Sequence, residues 1–341
     1  MKRLPVSVLS VLFVFVLSGA AFAAGPSEMY IKAGVEGRYI AAGETINTIS
    51  FDNPWMFGGH GESELEFPIK NNFFTGVNLE IGTLFDGDMV NKPAAKLSVM
   101  YLQAVGGDTG VMRDSDWIEN DAAFGAPMHA GKDIFTTSDD ELVAGRIFDI
   151  NFIYNFKINE QVTMGPVLGY MYQKFTHDVT GCNGYSWIDP APPVAVNCAN
   201  ETVIDFENEQ SIPYFGVNSE VFFGDDDKSS ISLSLLYSGW VSAAYTDIHR
   251  YPPNTPPDID RHFIGNLDGD AYIARLNTDW YFSENWLFSV GGEYLEIKTN
   301  GKEKQREYTD GVLTGVSTGA IDSTLDTTML SVYMRFGYAF F

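Results

Sequence analysis

Past its first two dozen residues the chain has no apolar run of the roughly 18 residues that a membrane-spanning helix needs, so a helical membrane protein is excluded. Positive charge is scarce: 21 lysines and arginines stand against 45 aspartates and glutamates, a net charge of −24. That balance argues against nucleic acid as a partner, because nucleic-acid binding calls for basic patches. It is compatible with cationic peptides or proteins, drawn in by long-range steering. Cysteine is nearly absent. Cys182 and Cys198 flank a stretch containing Pro190, Pro192 and Pro193, and in an oxidising compartment a disulfide closing that stretch is the expectation.

The N-terminus reads as a secretory signal. Lys2 and Arg3 precede an apolar segment from Leu4 to Leu17, and Ala21-Phe22-Ala23 has the small-x-small form of a cleavage site. Residues 1–23 are therefore expected to be a signal peptide and residues 24–341 a single mature domain. Loss of Lys2 and Arg3 with the signal takes the net charge from −24 to −26.

Period-two patterning runs through the mature chain. In Phe148-Asp149-Ile150-Asn151-Phe152-Ile153-Tyr154-Asn155-Phe156 every second residue is large and apolar, and Asp149, Asn151 and Asn155 lie between them. Tyr272, Leu276 and Trp280 alternate with Arg275, Asn277 and Asp279, and Leu330, Val332, Met334 and Phe336 alternate with Ser331, Tyr333 and Arg335. A strand sends alternate side chains to opposite faces, so these segments present one greasy face and one polar face. Charged and amide residues in mid-strand suit a wet lumen, and aromatics gathered near strand ends (Tyr154, Phe156, Trp280, Phe282, Trp286, Phe288, Tyr338, Phe340) suit membrane girdles. The expected fold is all-β, a transmembrane antiparallel β-barrel, since in lipid only closure satisfies every strand edge.

Turn signals place short connections at Asp86–Pro93, Asn159–Gln161, Gly224–Lys228 and Ser283–Asn285. Long external loops are expected at Asn47–Gly61, Gly106–Asp140, Gly181–Asn200, Arg250–Asp268 and Asn300–Asp322. Four turns and five loops imply about ten strands, with the barrel extending beyond the membrane on the loop side. The expected location is the outer membrane.

Two rim segments carry paired titratable groups at i and i+2, which share a face of an extended strand. They are Asp114-Ser115-Asp116-Trp117 and Tyr245-Thr246-Asp247-Ile248-His249. Spacing alone is weak, because Asp-x-Asp occurs five times. Their surroundings are more specific. Arg113-Asp114-Ser115-Asp116-Trp117, and Tyr237-Ser238-Gly239-Trp240-Val241 leading into Asp247-x-His249, resemble the omptin family of outer-membrane proteases. Ser63-Glu64-Leu65-Glu66-Phe67, Phe148-Asp149-Ile150-Asn151, Gly169-Tyr170 and Ile212-Pro213-Tyr214-Phe215-Gly216 follow in the family's order.

The resemblance implies an aspartyl-type endopeptidase with its active site in a groove at the extracellular rim. In it His249 acts as general base, Asp247 orients the imidazole, and Asp114 and Asp116 hold the attacking water or the developing oxyanion. It implies no metal and no cofactor, lipopolysaccharide as activator, peptide or protein substrates, and a monomer. Two departures stand out. Tyr245 occupies a pocket position that is acidic in members selective for dibasic sites. On the outer wall Tyr170 and Lys174 match part of a lipopolysaccharide site, but Tyr172 and Glu209 stand where a carboxylate and a basic residue are expected.

Parity adds a condition. Ile231, Leu233, Leu235 and Tyr237 fall on the lipid face, and unbroken alternation would send Asp247 and His249 there too. The site therefore requires an odd shift between Tyr237 and Asp247, with Gly239 a suitable place for a bulge. A second reading stays open at this stage: a barrel without catalysis, serving adhesion or surface structure. A general pore is disfavoured because Asp149, Arg275, Asp279, Glu293 and Arg335 all point inward, where they can pair and plug a narrow barrel.

Overall fold

β-Branched and aromatic residues on one parity and polar residues on the other suit a sheet wetted by lipid outside and packed inside, and the described residues fold almost wholly into strands. The computed structural model describes residues 29–53, 59–85, 93–119, 134–186, 194–224, 228–250, 259–316 and 321–340. Residues 1–28, 54–58, 86–92, 120–133, 187–193, 225–227, 251–258, 317–320 and 341 lie outside the described residues, and with them the expected signal segment and most of the expected turns at Asp86–Pro93 and Gly224–Lys228.

In chain order the strands are β1 (Met29–Asn53), β2 (Gly59–Pro68), β3 (Phe73–Leu84), β4 (Pro93–Ala104), β5 (Gly107–Glu119), β6 (Ile134–Tyr154) and β7 (Phe156–Lys157). They continue with β8 (Val162–Ser186), β9 (Val194–Phe223), β10 (Ser229–Arg250), β11 (Ile259–Tyr281), β12 (Trp286–Thr309), β13 (Val312–Val316) and β14 (Ile321–Phe340). All described pairings are antiparallel, and β1 meets β14 to close the ring. β2 runs on into β3 and β4 into β5 across short breaks, so the wall consists of ten long strands.

The strands outreach the bilayer. β9 has 30 residues, roughly 100 Å of chain at about 3.4 Å per residue, against a hydrocarbon core of about 30 Å. Exposed apolar side chains mark the lipid belt: Val35, Val77, Leu168, Val217, Leu233, Leu276, Val290 and Val332, with Trp280, Phe282, Trp286 and Phe340 toward one end. At that end the two described turns are tight. Asn159 Oδ1 accepts from the backbone N–H groups of Gln161 and Val162, and Ser283 Oγ accepts from Trp286 N–H.

The belt's interior is plugged by ion pairs. Arg275 bridges Asp149 and Glu293, Arg38 joins Glu293 to Glu36, Arg335 also binds Glu36, and Lys96 pairs with Glu220. A cavity of about 130 Å³ remains among them, far too small for a general diffusion channel. Above the plug the bore holds an apolar cluster that includes Leu65, Phe67, Met112, Phe206, Phe263 and Leu267. That cluster floors the open end.

The expected long loops are shorter than the alternation suggested. β5 and the first residues of β6 lie within Gly106–Asp140, and β1, β8, β9, β11 and β12 extend well into the other loop segments. Outside the bilayer the outer face meets water and turns polar, while the inner face mixes polar side chains such as Thr136, Ser138 and Asp140 with apolar ones, so the contrast that marks a strand in sequence weakens.

Candidate active site at the barrel mouth

Asp114 and Asp116 stand near the open end of β5, where Asp114 faces Leu65 of β2 and Thr136 of β6 across the ladders. Asp247 and His249 stand at the same end of β10, paired with Phe263 and Arg261 of β11. Three strands (β6, β8, β9) separate β5 from β10 on one side of the ring and five on the other. The two couples therefore confront each other across the mouth.

A bulge brings the second couple inside. Ser238 pairs with Ala271 but Val241 with Gly269, and on the other edge Tyr237 pairs with Phe215 but Ser242 with Ser211. Each comparison shows one extra residue in β10, around Gly239-Trp240. Below it Ile231, Leu233, Leu235 and Tyr237 are exposed; above it Val241, Ala243, Tyr245 and Asp247, of the same parity, are buried. One inserted residue flips every side chain beyond it, which meets the condition that parity set.

His249 Nε2 lies 3.0 Å from Asp247 Oδ2, with Asp247 0 % and His249 23 % exposed. The ring also packs on Phe263, centroid to centroid 5.0 Å. Burial alone would lower the basicity of His249, but Asp247, by its charge and hydrogen bond, and then Asp114 and Asp116 raise its pKa to about 9. Asp114 is pushed up to about 7 by burial first, then by the neighbouring charges of Asp116 and Asp247, against the pull of His249. The four groups share one electrostatic field. Asp116 is 7 % exposed, and the Oδ1 atoms of Asp114 and Asp247 are buried without a protein hydrogen-bond donor.

Asp-x-His spacing is not selective by itself. It recurs at Asp260 and His262, but His262 packs on Tyr308, with ring centroids 4.6 Å apart, and burial lowers its pKa. A Gly-x-Ser-x-Gly string at Gly315–Gly319 runs from β13 into residues outside the described ones. Sequence reasoning missed a second Asp–His couple. His177 Nδ1 lies 3.0 Å from Asp140 Oδ2, both fully buried, and Thr109 donates to the same carboxylate. These residues come from β8, β6 and β5, so only the strand register could have revealed them. Among the described residues no group of three or more His, Cys, Asp or Glu could hold a metal ion.

Tyr245 points into the bore two residues below Asp247. Cys182 and Cys198 are disulfide-bonded across β8 and β9, as expected. On the outer wall Tyr170 donates to Ser211 Oγ at 3.0 Å, Tyr172 to Glu209 at 3.1 Å, and Lys174 pairs with Glu207 at 2.5 Å.

Fold and mouth together define an outer-membrane β-barrel protein with a carboxylate–imidazole cluster at its open end. The family model of the omptins matches residues 59–338, and the chain belongs to the omptin family, which makes it an outer-membrane protease. The crystal structure of the outer membrane protease OmpT from Escherichia coli is similar, with a TM-score of 0.68 at 17 % identity, covering 91 % of this chain and 97 % of that one. At that identity the likeness speaks for the fold. The translocator domain of the autotransporter NalP from Neisseria meningitidis aligns with a TM-score of 0.31 at 8 % identity over 98 % of this chain and 96 % of its own. The outer membrane protein OprG from Pseudomonas aeruginosa gives 0.26 at 11 % identity over 92 % and 96 %. Neither of these two bears on the site. No curated protein matches the chain in sequence.

Proposed function

We propose that the protein is an endopeptidase whose mouth faces the outside of the cell, where a water activated by His249 attacks a peptide carbonyl. The observation that carries this reading is the His249–Asp247 couple set across the mouth from Asp114 and Asp116 and sharing their field. His249 takes the water's proton on the ring nitrogen not bound to Asp247 and returns it to the leaving amine. Asp247 fixes the ring and stabilises the imidazolium. Asp114, with a pKa raised to about 7, is able to hold a proton and donate a hydrogen bond to the developing oxyanion, while Asp116 accepts from the water. Carboxylates facing one another rarely both ionise, which supports this division of roles.

The pH dependence follows in sign. His249 is protonated below about 9 and Asp114 ionised above about 7. The working form, with neutral His249 and protonated Asp114, is the less populated tautomer of the state that carries one proton between the two groups, so kcat/KM is bell-shaped, rising through about 7 and falling above about 9. Asp247→Asn removes the negative charge that does most to raise His249, so the alkaline limb should move to lower pH. A profile flat across this range would contradict the assignment.

Substrates are peptides or proteins, with cationic ones favoured at long range by the acidic surface, and the working unit is a monomer. Lipopolysaccharide is proposed as a wall ligand at Tyr170 and Lys174. Lys174 must then exchange Glu207 for a lipid phosphate beside a second carboxylate, Glu209. Lys174→Ala should remove most of any stimulation that lipopolysaccharide gives to cleavage; a wild type indifferent to the lipid would remove this partner.

The test is hydrolysis itself. Refolded protein with lipopolysaccharide is presented with basic and mixed peptide libraries, and products are read by mass spectrometry. Internal cleavage is expected. Its absence across the libraries would return the protein to the adhesive or structural reading.

A further inference from the structure

Tyr245 lies on the inner face of β10, one inward step below Asp247, about 7 Å along the strand. Its ring lies over Gly265, its cross-strand partner on β11; a Cβ on that glycine would sit 2.0 Å from the ring's Cε1, so only glycine admits the ring in this pose. The hydroxyl donates to Glu303 Oε2 and lies 2.7 Å from Ser323 Oγ, which in turn reaches Asn47 Oδ1 at 3.3 Å. Four strands (β1, β10, β12, β14) thus meet beneath the Asp247–His249 couple.

Glu303 is 0 % exposed. Among the described residues no lysine or arginine pairs with it; its partners are Tyr245 and Gln305, at 3.4 Å. A buried carboxylate without a cation is costly, and the molecule resolves this by capping it with a phenol. Burial lifts its pKa, the Tyr245 hydrogen bond opposes the rise, and the charge of Asp247 adds to it, leaving it at about 7. Glu303 therefore takes up negative charge readily once a cation approaches, and it sits within the field of the hydrolytic couple.

We propose that Glu303 is a masked specificity carboxylate: Tyr245 fills the subsite under Asp247 and His249 and withholds Glu303 from the substrate. Resting on the mouth as the peptide-binding site, this assigns the subsite a short uncharged side chain next to the cut bond. A lysine or arginine side chain finds the space taken by the ring and the acceptor already bonded. Opening the subsite by loss of the ring exposes a carboxylate suited to a cation.

The experiment compares wild type, Tyr245→Ala, and Tyr245→Ala combined with Glu303→Gln. Matched peptides carry Ala or Arg beside the scissile bond. Their reduced-bond analogues, which cannot be hydrolysed, are measured by fluorescence polarisation. Wild type should prefer Ala. Tyr245→Ala should shift the Arg-to-Ala ratio toward Arg by about tenfold or more in both binding and kcat/KM, and Glu303→Gln should abolish that shift.

Tyr245→Val, which keeps an apolar side chain over Gly265, serves in place of Tyr245→Ala if the latter fails to give the heat-modifiable band of a folded barrel. A ratio unmoved by opening, a shift that survives Glu303→Gln, or a wild type already favouring Arg would overturn the proposal. A wild type that binds the analogues with the expected ratios but cuts nothing would leave the mask in place and remove the protease reading instead.

Discussion

Replacing His249 with alanine is expected to lower kcat/KM by about a thousandfold or more while the barrel stays folded, the scale lost when a positioned general base is removed. Two observations set this size. The imidazole is bonded to a fully buried carboxylate and is itself partly open to the mouth, and it is the group on which Asp247, Asp114 and Asp116 all act. Its loss leaves Asp247 buried, with neither oxygen accepting a bond from the chain. Stranding a buried charge costs about 3–5 kcal/mol. That cost should loosen the rim without opening the wall, which is held by ladders on both sides of β10. The heat-modifiable mobility of the variant, measured beside its rate constant, separates lost chemistry from lost fold.

Deleting one residue of the bulge, Gly239 or Trp240, should abolish cleavage outright. The deletion restores strict alternation, so Tyr245, Asp247 and His249 turn to the outer face while Ile231 to Tyr237 keep their places against lipid. No side chain in the site is removed; the loss arises from parity alone. Gly239→Ala is the control. A Cβ there meets the Tyr237 hydroxyl at 3.3 Å, at the mobile end of a side chain, so the register is kept and activity should stay within a few-fold of wild type. Activity surviving the deletion would show that the couple does not need the inner face.

The membrane portion was legible in sequence because lipid imposes a strong rule there. Leu233, Leu276 and Val332 must be apolar, and their neighbours Ser232, Arg275 and Ser331 need not be. The rule ends with the bilayer. In the first turns of β6, Thr136, Ser138 and Asp140 point inward and are buried, while Thr137 and Asp139 lie between them with equally polar side chains. No periodicity distinguishes that segment from a loop.

The site was legible in part for a different reason. Residues at i and i+2 on one strand, such as Asp114 with Asp116 and Asp247 with His249, declare their common face locally. Their meeting across the mouth was implied by family resemblance and by a parity argument that named the place of the bulge. Partners on neighbouring strands carry no such local mark. Glu303 lies 58 residues from Tyr245, and Asp140 lies 37 from His177; both contacts depend on register, which the sequence states only when one face is greasy.

A double-mutant cycle on kcat/KM with Asp114→Asn and His249→Ala tests most directly whether the two sides of the mouth act as one centre. Groups that serve a single water and a single carbonyl are non-additive, so the double variant should be no slower than the slower single variant, within a few-fold. Losses that multiply, or a wild-type rate that survives either change, would show that β5 and β10 do not share a reaction.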